Sequence, residues 1–436
     1  MRASFIHIAD THLGYEQYGV RERFNDFSRA FWDIMQEAVN RSVDFVVIAG
    51  DLFHKRAIDA RTLMHGIEGL QRLKDKGIPV LAIEGNHDRS YFREGVSWLQ
   101  FLCYEKYLTL LDPRMRDGAP VLEPWNHRNM LGAYTDLLDG KLRVYGLKWQ
   151  GAATARSMEG LTRALEEARA DEEAAGIEYR LLLMHTGVDG IVPRLAGLPT
   201  QGQFEPLKKH IDYLALGHVH KPFEIGDWIY NPGSTETCSA EEVAWEDRGY
   251  YYVEVDTSIE PPGRRHQATH LVSKRRSFLR HELRVDGLNE PNELYARLEE
   301  YCRREGPRHQ DDPFRPLVQI QLIGTLAFDA SSLDNVYMEE LIQSFFNPLY
   351  ARIENNTNDR DYLPETGDLD GRDRSTWHEL ERHIFEDLVG RDVRYLPARE
   401  QWGGVLAQLK EMALEKQEPA QIAQFLRERR ETLLER

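Results

Sequence analysis

Phe45-Val46-Val47-Ile48-Ala49-Gly50-Asp51 is an uncharged apolar run that ends abruptly in a carboxylate. A short run of this kind, rich in β-branched residues, is typical of a strand buried on both faces of a sheet. Four more runs in the first half of the chain end in residues that can bind a metal: 5–9 before Asp10 and His12, 79–85 before Asn86, 181–184 before His185, and 213–217 before His218 and His220. We predict that these polar ends lie along one edge of a sheet and form a metal site.

The composition is that of an ordinary globular protein. With 436 residues, 41% of them hydrophobic, the chain can form two or three domains with their own cores. No basic segment precedes a long apolar stretch, and no run approaches the roughly 18 apolar residues of a membrane helix. We therefore expect a cytoplasmic protein without contact with a membrane. The three cysteines (Cys103, Cys238 and Cys302) are far apart, so we expect reduced and mostly packed thiols.

The net charge of −17 is unfavourable for binding nucleic acid, because phosphate contacts normally need a surplus of Lys and Arg. A local surplus exists between residues 261 and 310, with eleven Lys or Arg against seven Asp or Glu. This segment is either an ordinary solvated face or a surface that faces phosphate groups.

The order of strand and helix patterns indicates α/β architecture. Strands alternate with helices up to about residue 256, and the helices are predicted at 23–39, 59–76, 91–107 and 153–174. A second, small α/β unit follows, with strands at 278–285, 316–326 and 349–355 and helices at 292–304 and 335–345. Residues 363–374 are polar and predict a linker. Two amphipathic helices, 405–416 and 420–434, end the chain.

Together the five runs supply two carboxylates, one amide oxygen and four imidazoles, enough for two divalent cations with positions left open for water. In their order along the chain and in their residues, five motifs resemble the signature of calcineurin-like metallophosphoesterases: Asp10-x-His12, Gly50-Asp51-x-x-His54, Gly85-Asn86-His87-Asp88, His185-Thr186 and Gly217-His218-Val219-His220. The 50–54 motif, the Asn-Pro-Gly-Ser-Thr-Glu turn at 231–236 and the following unit resemble more narrowly the SbcD and meiotic recombination 11 family, the nuclease subunits of DNA double-strand-break repair complexes.

This resemblance implies a four-layer αββα metallophosphoesterase sandwich with a smaller α/β capping domain and a C-terminal helical tail. The implied domains are a nuclease domain at 1–258, a DNA-binding cap at 259–362, a linker and helix at 363–400, and a helical segment at 401–436 that binds an ATPase partner.

The resemblance also implies two groups of metal ligands that share Asp51. They are Asp10, His12, Asp51 and His220 for one cation, and Asp51, Asn86, His185 and His218 for the other. A carboxylate has two oxygens with which to bridge neighbouring cations, whereas an imidazole has one free lone pair. Manganese, iron and zinc all suit such ligands, and the family favours Mn²⁺. A water activated between the cations is the expected nucleophile.

Three further residues receive roles from the same resemblance. His87 is the expected acid that stabilises or protonates the departing sugar oxygen, and Asp88 is expected to orient its ring. His54 is expected to position the substrate phosphate. The alternative for each histidine is a ring that is hydrogen-bonded into a loop.

Two kinds of protein partner are implied. In the family the helices at 59–76 and 91–107 form a homodimer, and apolar residues beyond the needs of one inward face agree with this: Leu70, Trp98, Leu99, Phe101 and Leu102. The alternative is packing within the monomer. The C-terminal helices would dock on the coiled-coil base of an SbcC-type ABC ATPase, or else on the chain's own cap.

The resulting functional prediction is a manganese-dependent DNA nuclease, with exonuclease and endonuclease activity, in a complex for double-strand-break repair. A phosphatase or cyclic-nucleotide phosphodiesterase on the same scaffold is one alternative, and a non-catalytic DNA-repair scaffold is another. The polarity of digestion, the strand preference and the biological pathway do not follow from these residues, because the hydrolytic chemistry is the same in every case.

Overall fold

The computed structural model describes residues 1–90, 95–193, 195, 197–245, 247–260, 265–309 and 312–359, and from the C-terminal part 381–382, 384–386, 388–389, 395, 398–414, 417 and 419–434. The chain forms two compact units: the first comprises Met1–Arg280, Arg308–Gln319 and Phe346–Ala351, and the second comprises His281–Pro307, Ile320–Phe345 and Arg352–Arg436. Within the described ranges no helix is long and apolar enough to cross a membrane.

Two six-stranded sheets dominate the first unit. In spatial order the first sheet contains β14 (His266–Val272), β13 (Gly249–Asp256), β1 (Arg2–Ile8), β2 (Phe45–Ile48), β3 (Val80–Ala82) and β4 (Thr109–Leu110). The second contains β11 (Phe223–Ile225), β12 (Ile229–Asn231), β10 (Tyr213–Gly217), β9 (Tyr179–His185), β8 (Leu142–Leu147) and β7 (Tyr134–Leu137). A separate hairpin pairs β5 (Met115–Arg116) with β6 (Ala119–Pro120).

Both sheets are mixed, and their parallel parts carry the predicted metal-binding ends. Strands β1, β2, β3 and β4 pair in parallel, and so do β8, β9, β10 and β12, whereas β7, β11, β13 and β14 pair antiparallel with their neighbours. Neighbouring parallel strands end at the same edge of their sheet, so the loops that follow them lie side by side.

The helices of the first unit are α1 (Arg21–Arg41), α2 (Ala60–Lys74), α3 (Trp98–Tyr104), α4 (Ala153–Ala175) and α5 (Gln201–Phe204). Short 3-10 helices occur at Gln17–Gly19, Glu205–Lys209, Ala240–Ala244 and Gly306–His309. The predicted division between residues 258 and 259 falls between β13 and β14, which are neighbours in one sheet.

Three apolar clusters hold these layers together. Phe5, Phe45 and Val47 of the first sheet pack against Leu181 and Leu183 of the second, so the sheets lie face to face. A second cluster joins the first sheet to α1, α2 and α3, and a third joins the second sheet to α4 and α5. Each fully buried Val, Leu or Phe contributes about 1.5–3 kcal/mol relative to exposure. Helices therefore cover the outer face of each sheet.

The second unit follows the predicted order of elements. It contains most of a three-stranded sheet in the order β15 (Phe278–Arg284), β16 (Leu317–Leu326) and β17 (Tyr350–Asp359), with α6 (Pro291–Glu305) and α7 (Asn335–Phe346) between the strands in sequence. A 3-10 helix lies at Ala330–Ser332. The two terminal helices are confirmed as α8 (Arg399–Leu414) and α9 (Pro419–Leu434). The predicted linker at 363–374 lies outside the described residues.

The predicted helix at 91–107 is wrong in length. Its first four residues lie outside the described ranges, and the helix that follows, α3, spans only Trp98–Tyr104. Ser97 ends the non-helical segment, because its side chain accepts from the backbone N–H of Gln100 while Oε1 of Gln100 accepts from the backbone N–H of Ser97. This capping box fixes the start of the helix.

The apolar residues that suggested a dimer also need correction. Leu70, Leu99 and Leu102 are fully buried in the cluster beneath α2 and α3, so they serve the core of the monomer. Trp98 and Phe101 are partly buried against the same cluster.

Some arginines of the basic segment at 261–310 form contacts inside the protein. Arg276, which is buried, donates to both carboxylate oxygens of Asp26, and buried Arg23 binds the same carboxylate. Arg275 donates to the backbone carbonyl of Arg248. Burial and these contacts remove Arg276 from the residues that could meet phosphate on a free surface, whereas Arg275 is half-buried.

His7 lies in the middle of β1, fully buried between the sheets. Its Nδ1 is 3.0 Å from the hydroxyl of Tyr213, and its Nε2 is 3.0 Å from the carbonyl oxygen of Leu216. A neutral ring satisfies both contacts, with Nε2–H donating and Nδ1 accepting. Burial lowers the pKa of His7 to about 3, because the charged ring would lose its hydration.

This environment predicts a pH-dependent stability. An unfolded histidine titrates near pH 6.5, so the stabilisation from a neutral His7 is present above that pH and is lost as the pH falls towards 3. Between pH 7 and pH 5 the loss should be about 2 kcal/mol. Urea unfolding in chelator should show that a His7→Phe variant loses about 2 kcal/mol less than the native chain over this interval. Equal losses in both proteins would contradict the assignment.

Candidate metal centre

The residues predicted to bind metal come from five loops and meet in the first unit. Asp10, Asp51 and Asn86 follow β1, β2 and β3 of the first sheet, whereas His185 ends β9 and His218 follows β10 of the second. The prediction of a single sheet edge is therefore wrong: the site lies where the carboxyl ends of two facing sheets meet. Parallel buried strands look alike in sequence whichever sheet they join.

The first group of expected ligands is compact. Potential ligand atoms of Asp10, His12 and Asp51 lie within 4.8 Å of one another, and all three residues are buried. Nε2 of His220 is 3.0 Å from Nε2 of His12 and 3.9 Å from Oδ1 of Asp10. The four side chains thus face a common point.

The second group joins the first through Asp51. Nε2 of His185 is 3.3 Å from Oδ2 of Asp51 and 3.2 Å from Oδ1 of Asn86. The same amide oxygen is 2.9 Å from Nδ1 of His218. Asp51 therefore has neighbours in both groups.

These groups of atoms fit divalent cations. Nε2 of His12 and Nε2 of His220 face each other, although two neutral rings can satisfy that contact only if one of them donates. Nδ1 of His12 is buried and has no hydrogen-bond partner within the part of the chain that the structure describes. Carboxylate, amide and imidazole acceptors converge here, and a cation is the natural partner for such a set.

Strained backbone accompanies the site. Asp10, His12, Asp51 and His218 have φ values of 52°, 47°, 53° and 89°. Positive φ is uncommon for residues other than glycine, and it persists where the surrounding structure fixes it, often at functional sites. Hydrogen bonds supply part of this constraint: the backbone N–H of His218 donates to both oxygens of Asp10, at 3.1 and 2.9 Å.

Two glycines allow the loops to approach. A Cβ on Gly85 would lie 2.0 Å from Oδ1 of Asp51, and a Cβ on Gly50 would lie 2.3 Å from Nδ1 of His185. Gly50 also has a φ of +91°. The Gly-Asp and Gly-Asn pairs of the sequence motifs thus provide room for the side chains of the site.

The protonation of the site differs between its ligands. Burial lowers the pKa of His218 to about 4 and that of His12 well below its ordinary value, so both rings are neutral at pH 7. Burial raises the pKa of Asp10 to about 6. For Asp51 burial acts in the same direction, but neighbouring histidines, led by His185, outweigh it and hold the pKa below its usual range. Burial also acts to lower the pKa of His185 and His220, but Asp51 beside His185, and Cys238 and Glu242 beside His220, outweigh it. The pKa of His185 is raised to about 9 and that of His220 lies well above its ordinary value. A cation would therefore displace a proton from these two rings, because neutral imidazoles and ionised carboxylates are the forms that bind cations.

His87 and His54 lie beside this centre. Ligand-capable atoms of His12, His54 and His87 lie within 4.8 Å of one another. The backbone N–H of His87 donates to Oδ1 of Asp51 at 2.8 Å, and its ring Nδ1 is 2.6 Å from the carbonyl oxygen of His54. A carbonyl can only accept, so Nδ1 carries the proton and Nε2 is left for other partners.

The expected role of Asp88 in orienting His87 is wrong. The Asp88 carboxylate is buried and accepts from the backbone N–H groups of Leu52, Phe53 and Gly85 at 3.0–3.2 Å. It therefore fastens the loop after β2 to the loop after β3, and the carbonyl of His54 fixes the His87 ring instead.

Three neighbours of the centre were missed from sequence. Tyr15 stacks on the ring of His54 with centroids 3.8 Å apart, and Oε1 of Glu242 is 2.6 Å from Nδ1 of His220. Cys238, expected to be simply packed, has its sulfur within 4.8 Å of ring nitrogens of His12 and His220. Tyr15 is close in sequence to His12, which was a usable signal, whereas no motif includes Glu242 or Cys238.

Comparison with known proteins agrees with this geometry. The family model for calcineurin-like phosphoesterases matches residues 3–222. Over 252 residues the chain is 51% identical to the DNA double-strand break repair protein Mre11 of Archaeoglobus fulgidus. This alignment covers 55% of the chain and 52% of that protein. The chain is 45% identical over 254 residues to the Halobacterium salinarum protein of the same name, covering 58% of the chain and 56% of that protein.

A longer match of 25% identity to Mre11 of Thermoplasma acidophilum extends over 357 residues, 80% of the chain and 82% of that protein. The chain otherwise spans about half the length of the first curated relatives that it matches. The matched segment contains every loop of the metal centre. The chain therefore belongs to the calcineurin-like phosphoesterase family, and the relatives that it resembles here are named DNA double-strand break repair protein Mre11.

Proposed function

We propose that this chain is a metal-dependent DNA nuclease, with exonuclease and endonuclease activity, that processes ends during double-strand-break repair. The observation that carries the proposal is the sharing of Asp51 between two groups of ligands, because its two oxygens can serve two cations at once. The proposed cofactor is a pair of divalent cations, with Mn²⁺ as the preferred ion.

We assign the ligands to two cations that share Asp51: Asp10, His12, Asp51 and His220 for one, and Asp51, Asn86, His185 and His218 for the other. When bound, such a pair supplies an acidified water as the nucleophile and neutralises charge on the phosphoryl oxygens. Hydrolysis also builds charge on the departing sugar oxygen. His87 is the proposed acid for that oxygen in its doubly protonated form, which donates through Nε2–H while Nδ1–H is hydrogen-bonded to the carbonyl of His54.

His54 is the proposed contact for the substrate phosphate. Its ring is half-buried and rests on Tyr15, which restricts its orientation. Burial lowers the pKa of His54 to about 4, so a neutral ring that donates a hydrogen bond is its expected form.

The proposed partners are DNA, a second copy of the chain, and an SbcC-type ABC ATPase. The dimer contact would use three exposed apolar side chains: Met64 on α2, Tyr104 at the end of α3, and Val96 just before α3. They are 66%, 67% and 59% exposed, respectively. Tyr and Met are enriched in protein interfaces relative to the rest of a protein surface. On the terminal helices Leu414 and Leu426 are also exposed, at 70% and 40%, which suits docking of the ATPase.

A nuclease assay tests the central proposal. End-labelled hairpin, blunt and single-stranded DNA should be cleaved with Mn²⁺ and left intact in chelator, with and without the ATPase partner. Asp51→Asn should reduce cleavage to background, because the shared charge is lost. Turnover of a chromogenic phosphodiester without cleavage of any DNA would favour a phosphatase or cyclic-nucleotide phosphodiesterase, and DNA binding without either activity would favour a scaffold.

Replacement of His87 separates catalysis from metal binding. His87→Ala should lower kcat for DNA cleavage by about 10²- to 10⁴-fold, the usual contribution of a general acid, while the Mn²⁺ content stays that of the native chain. His127→Ala removes an exposed histidine outside the centre and is the matched control. Unchanged cleavage by His87→Ala would remove this residue from the mechanism.

Introduction of a negative charge at the proposed contact tests the dimer. Met64→Glu and Tyr104→Glu place a carboxylate in the proposed contact, where burial of an unpaired charge should weaken dimerisation by about 100-fold or more. Sedimentation velocity at micromolar concentration should then show a monomer. Leu414→Glu, at a similarly exposed site on α8, should leave the dimer intact. A native chain that sediments as a monomer would contradict the proposal.

A further inference from the structure

Glu242 contacts one of the proposed metal ligands from outside the sequence motifs. It lies in the 3-10 helix Ala240–Ala244 and is 6% exposed. Its Oε1 is 2.6 Å from Nδ1 of His220. An ionised carboxylate can only accept, so this contact assigns a proton to Nδ1, and in the neutral ring that binds a cation the lone pair is on Nε2. Nε2 is the atom that faces His12, at 3.0 Å.

We propose that Glu242 is the positioning residue of His220, which holds the ring in the tautomer and orientation that the cation of Asp10, His12 and Asp51 requires. The inference rests on the proposed metal centre and adds a residue to it. A carboxylate behind a histidine ligand also makes the ring a stronger donor to the metal, because its negative charge stabilises the proton on the far nitrogen.

Glu242 is itself held rigidly. Its second oxygen, Oε2, accepts from Nη1 of Arg248 at 2.6 Å and from the backbone N–H of Cys238 at 2.9 Å. Arg248 is 2% exposed and also donates to Oγ1 of Thr237. One oxygen therefore anchors the carboxylate in the protein while the other meets the ring, an arrangement that leaves little freedom for His220.

A purely structural role is the competing explanation, since Glu242 also neutralises a buried arginine. The other ligands provide the distinction. Nδ1 of His185 is 2.7 Å from the carbonyl oxygen of Ala49, a neutral partner, and Nδ1 of His12 has no partner within the described ranges. Glu242 contacts a ligand of the first cation only, so its removal should weaken that cation and spare the one bound by Asn86, His185 and His218.

Calorimetric titration of the chelator-stripped chain with Mn²⁺ tests this expectation. The native chain should bind two ions. Glu242→Gln keeps an acceptor but loses the charge, and it should weaken one ion several-fold. The double variant Glu242→Leu with Arg248→Met removes the pair without leaving an unpaired charge, and it should weaken the same ion by about 10- to 100-fold. The other ion should bind as in the native chain.

Glu172→Gln is the matched control. Glu172 is 2% exposed and pairs with buried Arg180, but it contacts none of the proposed ligands. It should bind both ions with native affinity, and thermal unfolding in chelator should report any loss of stability for each variant separately.

The outcomes distinguish the inference from the function on which it rests. A native chain that binds no Mn²⁺ would overturn the metal centre and this inference with it. If the native chain binds two ions and Glu242→Gln binds both within twofold of native affinity, only the role of Glu242 is overturned. An equal loss of both ions would indicate a structural role and would also overturn it. If the double variant does not fold, the isosteric Gln variant decides.

Discussion

One carboxylate, that of Asp51, ties the two halves of the first unit to a common centre. Its Oδ1 accepts from the backbone N–H of His87, in the loop after β3 of the same sheet, and its Oδ2 faces the ring of His185, which ends β9 of the other sheet. This geometry requires that the end of β9 lie opposite the end of β2. The apolar cluster between the sheets, in which Phe45 and Leu181 take part, sets that spacing. The centre is thus a property of the whole sandwich.

The folded centre contains unfavourable interactions, and neighbouring contacts offset part of their free energy. Two buried carboxylates repel each other, and strained backbone at Asp10 and Asp51 adds to the penalty. Hydrogen bonds from fixed backbone N–H groups oppose the repulsion, as when the N–H of His218 donates to both oxygens of Asp10. Such a site is stable in one arrangement because the layers around it are closely packed.

The sequence was informative where one physical signal dominated. Short apolar runs that end in Asp or His identified the central strands, and amphipathic periods identified α1, α2 and α4. Such runs cannot say which sheet a strand joins, so the single edge was mistaken. Leu99 and Leu102 were read as surplus because the depth of the core beneath α3 depends on tertiary packing. Glu242 approaches His220 only after the chain has turned back, and sequence spacing holds no record of that approach.

The position of Asp88 gives a structural explanation for any loss of activity when this residue is replaced. Its carboxylate clips Leu52 and Phe53 to Gly85, so truncation would release two loops that present Asp51 and Asn86. Such a protein would be inert for architectural reasons, although the residue stands next to His87 in the chain. Adjacency along a motif is therefore a poor guide to which of its members touches the reacting atoms.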